Sequence, residues 1–511
     1  MSGRFPDQVD VAIVGSGPTG ATYARVLSEE APHLRVALLE VGPTITDPPG
    51  SHVKNIADLQ ACARAQRRSE GPAPDSATID NPGQVRAGMR RARPGTWLLP
   101  DGAAVDGEDG MPVAAMSSNV GGMGAHWTAA CPSPGESERI RAVEGFDELL
   151  TQAKRLLGVT TDAFETAPFA QEVRRRLAGE FDGGRALDRR VQPMPLAVHR
   201  RADGSLAWSG SDVVFGDVSR DNPNLTLVDE ALVRRVAVKD AQAVGVEVED
   251  RTDATVHRIR AHAVVVAADS LRTPQLLWAS GVRPPALGRY LNDQAQVVFA
   301  ARLSGAADHP DAVRAAGTPA GVLDEQSGVS WVPYVDTAPF HGQVMQLDAS
   351  PIPLAETDDP IPGSIVGLGW FCAKDLRAED RVEFHDLERD AYGMPAIRIR
   401  YRLTERDHET IARAKAQIRR AAAALGEPIG DEPFLLPLGS SLHYQGTVRL
   451  GADDDGTSVC DPNSRVWGHA GLYVAGNGVI PTAIACNPTL TAVALAIRGA
   501  RDVARYCKDW L

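Results

Sequence analysis

Asn487 is followed at once by Pro488, and the imidazole of His443 lies a short distance upstream. An Asn before a Pro opens a helix well, because the carboxamide can cap the first turn and the Pro there forfeits no hydrogen bond. Leu490, Val493, Ala494 and Ile497 then share one helical face, while Arg498, Arg501, Arg505 and Lys508 load the far end, where the helix dipole favours cations. Such a helix is buried and aims its positive N-terminus at something. Upstream, LYVAG reads as a short buried strand ending in glycine. Strand, glycine turn, loop and capped helix together suit a bound cofactor that carries negative charge.

A second constellation sits at the other end of the chain. Val11–Val14 is an apolar, largely β-branched run, followed by GSGPTG with Gly15, Gly17 and Gly20, a helical ATYARVLSEE and a second strand, Val36–Leu39. Glu40 closes that strand 20 residues beyond Gly20, where an acidic side chain can hydrogen-bond a ribose hydroxyl of a dinucleotide. Glycine patterns of this kind recur by chance, but strand, turn, helix, strand and acid agree here. The residues leave FAD and NAD both open. A third stretch, SSNVGGMGAHWTAAC, carries Gly121, Gly122 and Gly124 and then His126 and Thr128. Its glycines allow close approach of backbone to a flat ligand, with His126 beside it; the competing reading is an ordinary, partly buried histidine.

A chain of 511 residues exceeds one ordinary core, so two substructures are expected. The formal charge of −13 disfavours nucleic acid as a partner, because phosphate binding wants a basic face. The six cysteines form no C-x-x-C pair, which fits a reducing, cytoplasmic compartment and argues against a zinc cluster or other metal site. No apolar run approaches the roughly 20 residues of a membrane span, and no signal-peptide pattern opens the chain. Residues 46–109 read as long loops with one helix near Ile56–Arg67. Residues 141–180 read as helical, 224–260 as strands, Ala261–Asp269 as a buried strand, and Leu291 to Leu403 as alternating, half-buried strands of a mostly antiparallel sheet. A helix over Glu409–Leu425 leads back to the C-terminal segment. The fold class is therefore α/β: a Rossmann-type cofactor domain (1–140, 224–290, 440–511) with an interleaved α+β substrate domain (141–223, 291–439).

Taken together, VAIVGSGPTGATYAR, VGGMGAHWT, LGRYLNDQ, LHYQGTVRLG and LYVAGNGVIPTAIACNPTLTAVALAI resemble the glucose–methanol–choline (GMC) family of flavin oxidoreductases, in particular its pyranose oxidases and bacterial glycoside 3-oxidases. The resemblance implies FAD rather than a nicotinamide, held by Gly15, Gly17, Gly20, Glu40, Gly122, His126, Thr128, Val233, Asn477, Pro488 and Thr489. It implies a catalytic pair, His443 and Asn487. A neutral imidazole suits removal of a hydroxyl proton while hydride passes to the flavin N5, and the carboxamide can hold the same oxygen. His126 matches a histidine that bonds covalently to flavin in pyranose oxidases; Gly124 and Ala125, in place of the usual Ser and Thr, favour a non-covalent flavin. Asp269 replaces a glycine common at that strand end.

PFHGQVMQLDAS matches only loosely, with Gln343 and Asp348 as sugar ligands or simply polar strand residues. The expected activity is oxidation of a C3 or C2 hydroxyl of a pyranose or glycoside to a keto-sugar, with electrons passing to O2 or a quinone-like acceptor. Two alternatives stand beside it: a GMC alcohol or sterol oxidase with an apolar substrate, and a flavoprotein without catalysis.

Overall fold

The computed structural model describes residues 4–58, 60–61, 64–65, 96–98, 104–312, 328–347, 361 and 363–508. Val11–Val14, buried throughout, pairs in parallel with Val36–Leu39 on one side and Ala263–Val266 on the other. Leu225–Val228 extends this sheet past Val36–Leu39, and Leu472–Val474 extends it past Ala263–Val266. Parallel strands need cover. Helices Pro18–Glu30 and Thr489–Lys508 pack on each other; Ser211–Arg220 lies against the first and Phe146–Leu157 against the second. An antiparallel sheet of Ala231–Lys239, Gln242–Asp250 and Val256–Arg260 contacts Ala263–Val266.

Among the described residues the second sheet has six strands and is antiparallel at every pairing: Gly426–Leu435, Ala295–Leu303, Ile365–Cys372, Phe340–Leu347, Val329–Val332 and the short Gln192–Pro193. Val297, Phe299, Ala301 and Trp370 on one face pack with Ile411, Ala414 and Ile418 of the long helix Glu405–Leu425. That helix starts earlier than its periodicity predicts because Thr404 and Asp407 form a capping box. Phe371, on the opposite face, turns toward His443. The expected architecture holds: a Rossmann-type sheet interleaved with a mostly antiparallel one.

Gly426–Leu435 goes unread in the sequence because Pro428, Gly430 and Pro433 interrupt it; it lies at the sheet edge, where proline's missing N–H is harmless. The helix expected near Ile56–Arg67 falls largely outside the described residues. No helix among the described residues is long and apolar enough to cross a membrane.

Candidate active site

Gly15 has φ +100°, and a Cβ there would run into the carbonyl oxygen of Ala267 at the end of the neighbouring strand. A Cβ at Gly20 would strike the Gly15 carbonyl. Gly17 differs: its Cβ would meet nothing nearer than Gly122 Cα at 4.0 Å. It precedes a helix whose first turn has no side-chain cap, so the N–H groups there face an open cradle. Gly122, φ +52°, closes on the same turn, since its own Cβ would lie 2.9 Å from Gly17 Cα. Two glycine segments about a hundred residues apart thus meet without side chains between them. Ser16 Oγ accepts from Gly121 N (2.9 Å) and stitches them together.

Glu40 is buried and braces this turn. Its carboxylate accepts from Ser16 N (3.0 Å), Ser16 Oγ (2.7 Å) and Gly42 N (3.0 Å); burial pushes its pKa up while these bonds pull it down. His126 is buried with Nε2 2.9 Å from Ser117 Oγ, and Thr128 is half-buried in the loop that follows. Val233 is buried in its strand, and Asn477 opens the short turn Asn477–Val479. Asp269 takes φ +64° in place of glycine; its Oδ1 accepts from Leu271 N (2.6 Å) and Arg272 N (2.9 Å), local bonds that let Asp occupy the left-handed region.

His443 and Asn487 come together. Asn487 Nδ2 donates to His443 Nε2 at 3.3 Å. The C-terminal helix begins at Thr489, and the buried Asn487 Oδ1 has no partner among the described residues, so the side chain is not spent as a helix cap. His443 Nδ1 lies 2.7 Å from Gln294 Oε1. Leading into Asn487, the loop is held from both sides. Glu138 Oε1 accepts from Ala485 N (2.6 Å) and Cys486 N (3.1 Å), while Gln294 Nε2 donates to the carbonyls of Ile484 (2.7 Å) and Cys486 (2.9 Å). Leu442, just before His443, is left-handed at φ +58°, a strained conformation kept only where the surroundings impose it.

Asp293 helps to impose it. Its Oδ1 accepts from Ser441 Oγ and from His443 N (3.3 Å). Burial pushes its carboxyl from the ordinary 3.8 up to about 6. The folded protein therefore binds this proton more tightly. The stability so contributed is complete below about pH 4 and lost as pH rises through about 6, roughly 3 kcal/mol in all. Asp293→Asn keeps the acceptor oxygen but cannot ionise. Its melting temperature relative to wild type should climb from pH 4 to 6.5 and then level off; parallel profiles would assign the titration elsewhere.

On the sheet face above this loop, Phe371 tilts over His443 with ring centroids 5.4 Å apart. His341, fully buried, stacks on Phe371, and burial lowers its pKa to about 3, so it is neutral. Gln343 is 6% exposed, and among the described residues its amide reaches only the sulfur of Met345, at 3.4 Å. Asp348 lies outside the described residues.

Residues 194–296 and 377–496 match the family described as GMC oxidoreductase. The C-glycoside 3-oxidase of Arthrobacter globiformis is 65% identical over 505 residues, spanning 99% of this chain and 96% of that protein. This chain belongs to the GMC oxidoreductase family. GMC oxidoreductases depend on FAD, and the open cradle at Gly17, walled by Gly122 and the uncapped helix, fits a dinucleotide. The pyranose 2-oxidase of Tricholoma matsutake is 32% identical over 547 residues, spanning 97% of this chain and 94% of that protein. The crystal structure of pyridoxine 4-oxidase from Mesorbium loti superposes with a TM-score of 0.65 at 20% identity, covering 96% of this chain and 98% of that one; it shows the shared GMC fold.

Glu138, Asp293 and Gln294 carry no sequence signal of their own. Asp293 and Gln294 lie inside the LGRYLNDQ motif without an assigned part, and Glu138 sits in the polar stretch PSPGESERI, where nothing local marks it for burial.

Proposed function

We propose that this enzyme oxidises a secondary ring hydroxyl of a pyranosyl group, C3 of a glycoside, to the ketone; C2 of a free pyranose is the second reading, favoured by the kinship with a pyranose 2-oxidase. The observation that carries the proposal is the His443–Asn487 pair. With Nε2 and Nδ2 3.3 Å apart, one alcohol oxygen entering between them takes over the Nδ2–H that otherwise points to Nε2 and gives its own proton to the lone pair so freed. His443 is the base and Asn487 the holder of the oxygen. FAD, when bound, supplies the acceptor for the carbon-bound hydride. Gln343, whose amide has no strong partner, meets another sugar hydroxyl, with Asp348 as a second ligand.

The electrons leave to O2 or to a quinone-like acceptor. We read the flavin as non-covalent because His126 Nε2 is engaged by Ser117. Cys131, Cys372, Cys460, Cys486 and Cys507 are all free and buried, in keeping with a reducing cytoplasm.

Anaerobic mixing with C- and O-glycosides, free glucose, and aliphatic and sterol alcohols tests the reading. Glycosides should bleach the flavin, and NMR of the product should place the new carbonyl at C3. Bleaching by apolar alcohols alone would overturn it.

A further inference from the structure

We propose that Gln294 is a positioning residue that fixes the tautomer of His443 and ties that ring to the loop carrying Asn487, an inference that rests on the base role given to His443. Asn292 and Gln445 exchange both backbone hydrogen bonds at 2.9 Å, an antiparallel pairing that sets residues 294 and 443 opposite each other. The Gln294 amide has one way to face. Its Nε2 lies 2.7 Å from the Ile484 carbonyl and 2.9 Å from the Cys486 carbonyl, and carbonyls only accept. Oε1 is then the atom 2.7 Å from His443 Nδ1, and because it too only accepts, Nδ1 carries the proton.

A neutral imidazole with Nδ1–H has its lone pair on Nε2. That is the nitrogen facing the Asn487 Nδ2 donor. All four contacts agree with this one tautomer. The other would set a lone pair against Gln294 Oε1 and an N–H against an N–H. Gln294 is 2% exposed, so no solvent softens that choice. The same NH2 group grips the two carbonyls just before Asn487, whereas Glu138 grips the N–H groups of that loop from the other side. Losing Gln294 therefore frees the ring more than it frees Asn487.

The test uses the FAD-loaded enzyme, with Gln294→Met to keep the length and remove the hydrogen bonds, and Gln294→Glu to put an acid in their place. 15N NMR of the histidine rings should show His443 as Nδ1–H in the wild type and as a tautomer mixture in the Met variant. Anaerobic flavin reduction by glycoside should slow about ten- to a hundredfold in the Met variant at unchanged FAD content. In the Glu variant, a carboxylate at Nδ1 favours imidazolium, so the acid limb of the kcat/KM profile should move to higher pH. A residue that merely braces the fold would lower the melting temperature without moving the tautomer or the limb, and that result overturns the proposal. So does wild-type His443 found as Nε2–H, a measurement that stands even if the Met variant fails to fold. If no sugar reduces the wild-type flavin, the alcohol-oxidation reading falls while the NMR arm still reports the tautomer.

Discussion

His443→Ala should slow anaerobic flavin reduction by glycoside about 10³-fold, within the range expected for loss of a general base, with FAD content unchanged. The alcohol proton then has no acceptor at the oxygen: Asn487 presents Nδ2, a donor, and its Oδ1 points elsewhere without a partner. Gln294 Oε1 loses its donor as well, a second buried group left unsatisfied. The proposed cofactor cradle at Gly15–Gly20 and Gly121–Gly122 includes none of these atoms, so flavin loading should not fall. Stopped-flow bleaching and the visible spectrum measure the two quantities separately. Near-normal bleaching would take His443 out of the base role.

Gly15→Ala should yield protein holding less than about a tenth of the wild-type FAD and melting well below it. A residue with a Cβ at φ +100° costs about 1–2 kcal/mol from the backbone alone. The Cβ also lands on the Ala267 carbonyl, which belongs to the framework of the sheet and cannot give way. The turn must therefore shift, carrying Gly17 and the start of the helix Pro18–Glu30 away from Gly122. The ratio of flavin to protein absorbance after gel filtration checks the outcome, and a variant that keeps its FAD would show that the turn is not the cradle. Acid precipitation of the wild type in the same experiment reads the linkage at His126: yellow colour in the supernatant is expected, and colour in the pellet would mean a covalent bond.

What the sequence made legible was local. VAIV followed by GSGPTG declares a strand and its turn within ten residues, and the alternation in SIVGLGWFC declares a strand from its own pattern, although Ile365–Cys372 is buried on both faces and not half-buried as that alternation suggests. The pieces that complete the site are joined across great distances along the chain. Glu138 meets Ala485 from 347 residues away, and Gln294 meets His443 from 149. Neither partner's neighbours announce the pairing, since a buried carboxylate and a surface one share the same local sequence. Asn487 shows the limit in a single residue: its place before Pro488 promises a helix cap, whereas the fold turns its amide toward His443 instead. Likewise, the contact between Gly17 and Gly122 could be read only once both turns were placed against each other.

The strand Leu472–Val474 joins the parallel sheet at its edge, beside Ala263–Val266, with His443 ahead of it in the chain and Asn487 behind. During translation the ribosome must deliver some two hundred residues after Val266 before that edge finds its partner. Through that interval the nascent chain shows open backbone to its neighbours, the exposure that chaperones cover. It also still lacks Asn487, so on the reading proposed above a chain that stops short of that residue should reduce no flavin with sugar.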